Sequence, residues 1–176
     1  MKLELDNCTV DIDAEATRAY YKSNPEPYSC DCENCRAYIN RAPDFPEKVR
    51  EYFASCGIDD MLYAVEVTTL YEDVDGVLHL FATFHAVGTM EGGAPGTHWY
   101  PPAYRRRRFL ARIFNKKLYE EIIELERLSD LERWSDPKYI DEDFSVVFSN
   151  RKDLIPKGFP ENSLQIDLYT NIKTHG

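Results

Sequence analysis

The sequence predicts an α+β fold, with an antiparallel sheet of about six strands and helices packed mainly on one face. Three observations support this class. Apolar residues alternate with a period of two in some segments and recur with helical spacing in others. The two kinds of segment follow one another in mixed order. Short turns also join neighbouring strands, which favours antiparallel pairing over a doubly wound sheet.

The first third of the chain predicts one β-hairpin and three helices. Lys2–Leu5 and Cys8–Ile12 alternate on either side of an Asp-Asn turn pair, as the strands of a hairpin do. Asp13 is a residue type that caps helix N-termini, and Gly57 is one that follows helix C-termini. The predicted helices are Ala14–Lys22, Glu33–Arg41 and Pro46–Ser55.

The remaining strands are also predicted by alternation. Leu62–Tyr71 and Val77–Val87 form a second hairpin around a turn at residues 73–76, and Phe144–Ser149 and Leu164–Ile172 close the chain. In the second strand of this hairpin, the face expected in the core carries Leu78, Leu80, Ala82, Phe84 and Ala86. The opposite face carries His79, Phe81, Thr83 and His85.

Residues 1–176 are expected to form a single domain with one inserted module at about 96–134. A Gly/Pro-rich loop over residues 88–104 precedes a long charged helix, about Arg105–Trp134, with a predicted break near Asn115 or Ser129. The apolar stripe of this helix must be buried, either on the chain's own sheet or on a partner such as a second copy. The stripe consists of Leu110, Ile113, Phe114, Leu118, Ile122 and Leu125.

Composition and charge narrow the function classes. The 176 residues carry a formal net charge of −10, so on average the chain repels nucleic acid and anionic membranes. The run Arg105–Arg108, beside Trp99 and Tyr104, could stack and pair with single-stranded nucleic acid, but pairing with acidic protein groups is the favoured interpretation. No apolar signal segment and no stretch of about eighteen apolar residues occurs, so we expect a soluble, cytoplasmic protein.

The sharpest chemical feature is a cluster of three of the five cysteines: Cys30, Cys32 and Cys35. An odd total of cysteines, with three of them close together, is a poor basis for disulfide bonds. It is typical of a protein in a reducing compartment. The Cys-x-Cys-x-x-Cys spacing brings three sulfurs together where a helix begins. Soft thiolates so arranged suit zinc, which takes four ligands in a tetrahedron, and Cys56 is the first choice for the fourth. The reserve ligands are Cys8, His85 and His98.

Two other interpretations of the cluster stay open. The cysteines can be reduced, partly buried side chains that only pack, because cysteine behaves as a small hydrophobic residue. They can also be redox-active or nucleophilic thiols, because a helix N-terminus lowers the pKa of a thiol.

The chain resembles a family of small uncharacterised bacterial proteins. The similar segments are the Tyr-x-Cys-x-Cys-x-x-Cys-Arg-x-Tyr motif at 28–38, the Cys-Gly-Ile-Asp helix end at 56–59, the Phe-His-Ala-Val-Gly strand at 84–88, and two tail segments at 148–156 and 164–168. The resemblance covers about two thirds of the chain and omits about 96–140. It implies no activity, because the family has none assigned.

The cysteine motif is also similar to one in zinc-binding, glutathione-dependent formaldehyde-activating domains. Those domains carry a Cys-x-Cys-x-x-Cys-Arg segment as well. This chain lacks their other cysteine pair and their glycine pattern, so their activity is not expected here.

Two hypotheses of function follow from the sequence, and an enzyme is a weaker third because no nucleophile–base–acid set can be assembled. The two strand histidines, His79 and His85, would lie roughly 20 Å apart at about 3.3 Å per residue, too far to share a metal ion. The first hypothesis is a small non-catalytic protein whose cysteine cluster holds zinc. The alternative is an acidic interaction or inhibitory protein that uses its aromatic surface and the 96–134 module to bind a protein partner or a second copy. Neither nucleic acid nor a membrane is an expected partner.

Overall fold

The computed structural model describes residues 1–96, 102–129, 131–152 and 154–173. Its helices are α1 (Ala14–Ser23), α2 (Glu33–Arg41), α3 (Glu47–Ser55), α4 (Pro102–Phe114) and α5 (Lys116–Ser129). Its strands are β1 (Lys2–Glu4), β2 (Cys8–Ile12), β3 (Glu66–Glu72), β4 (Val77–Gly92), β5 (Ala94–Pro95), β6 (Arg133–Trp134), β7 (Lys138–Asp141), β8 (Phe144–Ser149) and β9 (Ser163–Lys173). The predicted α+β class is confirmed.

All strands of the described chain belong to one antiparallel sheet with the order β1-β2-β4-β9-β8-β6-β5, in which β3 also pairs with β4 and β7 with β8. The six predicted strands correspond to β1, β2, β3, β4, β8 and β9. Strand β3 begins at Glu66, later than the predicted Leu62, because Met61–Tyr63 form a 3₁₀ turn before it. Three short strands, β5, β6 and β7, are additional. They have two to four residues each, too few for alternation to reveal them.

Strand β4 is the spine of the sheet. It runs from Val77 to Gly92, beyond the predicted end at Val87, because its last five residues pair with β2. Along one edge it pairs continuously with β9 from Val77 to Val87. Along the other edge it pairs first with β3, up to Thr83, and then with β2, from Gly88 onward.

Helix α1 fills the gap that β3 and β2 leave on this edge of β4. The Thr17 hydroxyl accepts the backbone N–H of Val87 at 2.9 Å, and the Tyr21 hydroxyl donates to the His85 carbonyl at 2.9 Å. The backbone N–H of Asp13 donates to the Val87 carbonyl at 2.8 Å. Backbone N–H and C=O groups at this edge of β4 therefore form hydrogen bonds with α1 in place of a neighbouring strand.

The predicted core face of β4 is confirmed. Leu78, Leu80, Ala82, Phe84 and Ala86 are all at most 1% exposed. Helix α3 covers this face, with Phe53 and Phe84 ring centroids 4.8 Å apart. The prediction that Gly57 follows α3 also holds: its φ is +87°, and an added Cβ would lie 2.2 Å from the Ala14 carbonyl oxygen. Glycine at this position therefore lets α1 approach the end of α3.

The opposite face of β4 is buried as well in its second half. Thr83 and His85 are fully buried, whereas His79 is partly exposed. The His85 ring lies 5.8 Å from the ring of Phe159, which belongs to the segment before β9. Alternation correctly separated the two faces, but it could not show that distant residues cover the second one.

Helices α4 and α5 form a hairpin joined by Asn115, whose side-chain oxygen accepts the N–H of Leu118 at 3.0 Å. This matches the break predicted near Asn115. The predicted helix end at Trp134 is wrong, because Arg133 and Trp134 pair with β5 and β8 as strand β6, and α5 ends at Ser129. The two helices pack on each other through Ala111 and Ile122, which are buried, and through an Arg108–Glu126 ion pair of 3.2 Å. The short strands β5 and β6 pair at the base of the hairpin. None of the described helices combines the length and apolar composition needed to cross a membrane.

Candidate metal centre

The three clustered cysteines lie where an extended segment turns into α2. Two prolines, Pro25 and Pro27, disfavour helix in the residues before them, and no regular element forms between α1 and Cys32. Cys32 itself is the N-cap of α2, with φ −70° and ψ 154°. Residues two apart in an extended chain lie on the same side, so Cys30 comes next to Cys32, and their sulfurs are 3.4 Å apart.

The first turn of α2 brings the third sulfur to the same place. The backbone N–H of Cys35 donates to Cys32 Sγ at 3.4 Å. The sulfurs of Cys30, Cys32 and Cys35 all lie within 4.8 Å of one another. Thiolates bound to one zinc ion at about 2.3 Å in a tetrahedron would be about 3.8 Å apart. The geometry therefore fits three ligands of one metal ion, and this group could hold one.

The three cysteines of the cluster differ in their exposure to solvent. Cys35 is buried at 6% exposure, Cys30 is half-buried and Cys32 is exposed. All five cysteines of the chain are free thiols. A metal ion at this group would therefore be held against the protein on the side of Cys35 and be accessible from solvent on the side of Cys32.

Tyr28 forms a wall of the cluster. Its hydroxyl lies 3.2 Å from Cys35 Sγ, and its ring packs edge-on against Tyr38 with centroids 6.5 Å apart. Its backbone N–H is bonded to the Leu62 carbonyl, which fixes the segment before the cluster to the turn before β3. The sequence motif contained Tyr28, but spacing alone assigned it no role.

The electrostatics differ between the two cysteines of α2. Hydrogen bonds from the side chain and the backbone N–H of Cys35 lower the pKa of the Cys32 thiol. Burial raises the pKa of the Cys35 thiol, and burial together with the bond to Cys35 raises the pKa of the Tyr28 phenol. Without metal, Cys32 is therefore the first of these groups to become an anion, and a metal ion that binds Cys35 must displace its proton.

The structure brings together three of the four predicted ligands. Cys56 is fully buried at the C-terminal end of α3, and it is not part of the group of neighbouring sulfurs. Its pKa is raised to about 12 by burial, and the neighbouring Ser55 hydroxyl and the N-terminal amino group counteract this rise. The sequence placed Cys56 at a helix end after the cluster, but it could not predict that this end meets the chain's N-terminus.

Two of the reserve ligands also lie elsewhere. Cys8 is buried in β2, opposite Gly92 of β4, and His85 is buried in the interior of β4. Residue His98 lies outside the described residues.

A second polar group lies buried on the His85 face of the sheet. Asp167 of β9 is 2% exposed and accepts a hydrogen bond from the Thr83 hydroxyl at 2.7 Å. The Gln165 amide donates to both of its carboxylate oxygens at 3.0 Å. Alternation places these residues on a strand but does not reveal a buried carboxyl group, because its hydrogen-bond donors come from other positions in the sheet. These hydrogen bonds offset the cost of burying the polar side chain of Asp167.

Comparison with protein-family models, with curated proteins and with solved structures finds no match to this chain. The two resemblances drawn from the cysteine motif therefore stay expectations. The geometry of the site alone carries the functional argument.

Proposed function

We propose that the protein is a non-catalytic metal-binding protein that holds one zinc ion through Cys30, Cys32 and Cys35. The observation that carries the proposal is the convergence of three sulfurs, all within 4.8 Å, around the N-cap of α2. Thiolate ligands select zinc and other soft ions over magnesium and calcium, which prefer oxygen.

The surroundings support a negatively charged thiolate group. The N-terminus of α2 carries a partial positive charge, which stabilises anions in its first turn. The Tyr28 hydroxyl, 3.2 Å from Cys35 Sγ, can donate a hydrogen bond to that sulfur once it is deprotonated. Hydrogen-bond partners of this kind orient metal ligands and tune their affinity.

The expected role of the ion is structural. The segment between α1 and α2 has no regular secondary structure, and Cys30 and Cys32 belong to its last residues. A metal ion that joins these two cysteines to Cys35 would fix the segment to α2. The fourth ligand is then water or a group supplied from outside the cluster, because Cys56 lies elsewhere.

Metal content tests the proposal directly. We expect elemental analysis of the tag-free full chain, purified without chelator, to find one zinc per chain. Cobalt substitution should give thiolate charge-transfer absorption. Replacing Cys30, Cys32 or Cys35 by Ser should remove the bound metal, whereas Cys8→Ser is the matched control and should retain it.

Two further variants sharpen the test. Tyr28→Phe keeps the ring but removes the hydroxyl beside Cys35, and it should weaken metal binding by about 10-fold or more in competition with a chromophoric chelator. Cys56→Ser should leave binding unchanged. Well under one zinc per chain, or equal losses in Cys8→Ser and Cys32→Ser, would overturn the proposal.

A further inference from the structure

The α4–α5 hairpin exposes large apolar side chains on both of its helices. They are Phe109, Leu110, Ile113, Phe114, Ile123 and Leu125, and each is between 36 and 79% exposed. We call these six residues the hairpin surface. The stripe predicted from the sequence was expected to be buried, either on the chain's own sheet or on a partner. Packing of α4 on α5 buries Ile122 of that stripe and leaves Leu110, Ile113, Phe114 and Leu125 exposed.

The exposed area is close to what a stable interface requires. At about 200 Å² for one whole large apolar side chain, the hairpin surface leaves roughly 700 Å² in water. Stable protein–protein interfaces bury about 800 Å² on each partner. Apolar area of this extent on one pair of helices is typical of a surface that another chain covers.

The charges of the hairpin are divided between its helices. No acidic residue occurs between Glu91 and Glu120, and the basic residues of that stretch lie in α4 and the first turn of α5: Arg105, Arg106, Arg107, Arg108, Arg112, Lys116 and Lys117. The acidic residues of α5 follow: Glu120, Glu121, Glu124 and Glu126. A partner carrying charge of one sign would match only one of the two helices.

Some of these charges are paired within the hairpin, and others are not. The Arg108–Glu126 pair crosses between the helices, whereas Lys116–Glu120 and Glu124–Arg127 are pairs within α5. Among the described residues, no ion pair involves Arg107, Arg112 or Glu121. These side chains are exposed and available to a partner.

We propose that the partner is a second copy of this chain, which packs its hairpin surface on the first to form an antiparallel four-helix bundle. A two-fold axis requires a self-complementary patch, and the hairpin is one: basic α4 of one copy meets acidic α5 of the other. The apolar residues of both copies then form the core of the bundle. This inference goes beyond the metal centre and does not depend on it.

Sedimentation equilibrium of the full chain tests the proposal. We expect a dimer at micromolar concentration, with or without chelator. The double variant Ile113→Ser/Phe114→Ser should weaken dimerisation by about 100-fold or more, since each dimer loses four buried apolar side chains. The control Leu70→Ser/Tyr139→Ser removes two equally exposed side chains from β3 and β7 and should leave the dimer intact. Circular dichroism should show that all variants keep their helices.

Charge exchange tests the arrangement of the helices. Arg107→Glu/Arg112→Glu makes the charge of α4 more acidic, and Glu120→Lys/Glu121→Lys makes the charge of α5 more basic. Each variant alone should dimerise more weakly, whereas native mass spectrometry of a mixture should show heterodimers. Three results would overturn the proposal: a monomeric wild type, a control variant that dissociates as readily as Ile113→Ser/Phe114→Ser, or a mixture without heterodimers. A monomer that instead floats with phosphatidylserine vesicles would assign the hairpin surface to a membrane.

Discussion

Replacing Thr17 by Val tests how α1 is joined to the sheet. Thr17 is fully buried, and its hydroxyl accepts the N–H of Val87 in the gap between β3 and β2. Valine has nearly the same shape but no acceptor, so this buried N–H loses its partner. The hydroxyl also donates to the Asp13 carbonyl, but that carbonyl still accepts the backbone N–H of Thr17 at 3.0 Å.

The magnitude follows from the unsatisfied donor. A buried N–H without an acceptor costs about 1–3 kcal/mol, and threonine and valine differ little in helix propensity. The same substitution at Thr9 is the matched control. The Thr9 hydroxyl bonds to Glu4 at an exposed site, and surface changes of this kind stay within about 0.5 kcal/mol.

Urea denaturation of the full chain, followed by circular dichroism, gives the free energy of unfolding of each variant. Thr17→Val should be less stable than Thr9→Val by at least about 1 kcal/mol, with an unchanged m-value. Tyr21→Phe removes the second hydroxyl in the gap, the one bonded to the His85 carbonyl, and should be destabilising for the same reason. Equal stabilities of Thr17→Val and Thr9→Val would show that the helix does not replace strand hydrogen bonds on this edge.

The other predictions concern the core and the thiols. Phe84→Ala should lower the free energy of unfolding by about 3–5 kcal/mol, because the side chain is fully buried. His79→Ala removes a partly exposed ring and should lower it by less than about 1 kcal/mol. Coinciding thermal melts of the two variants would contradict the core assignment. In metal-free protein, the lowered pKa of Cys32 keeps its thiolate populated at a lower pH than in an ordinary cysteine, so iodoacetamide should label Cys32 first as pH rises. Cys35, whose pKa is raised by burial, should be labelled only at higher pH, and peptide mapping that finds Cys35 modified before Cys32 would refute this order.

Local patterns predicted most of the fold. Alternation located the long strands because each segment carries enough residues to show its two faces, as Leu78 to Ala86 do in β4. Predicted cap and break residues were also correct at Asp13, Gly57 and Asn115, because the backbone conformations there depend on neighbouring residues. Strands β5 and β6, with two residues each, exist only through pairing with distant partners, so no local pattern reveals them.

The cysteine cluster was likewise predictable from local sequence in part only. The sequence by itself predicted that three sulfurs converge, since an extended step and one helical turn bring Cys30, Cys32 and Cys35 together. Only the tertiary structure decided that Tyr28 touches Cys35, that Cys56 meets the N-terminus instead, and that His85 is buried. These outcomes depend on which remote segments pack against each residue. Such packing reflects the balance of burial over the whole chain, which a local sequence pattern does not contain.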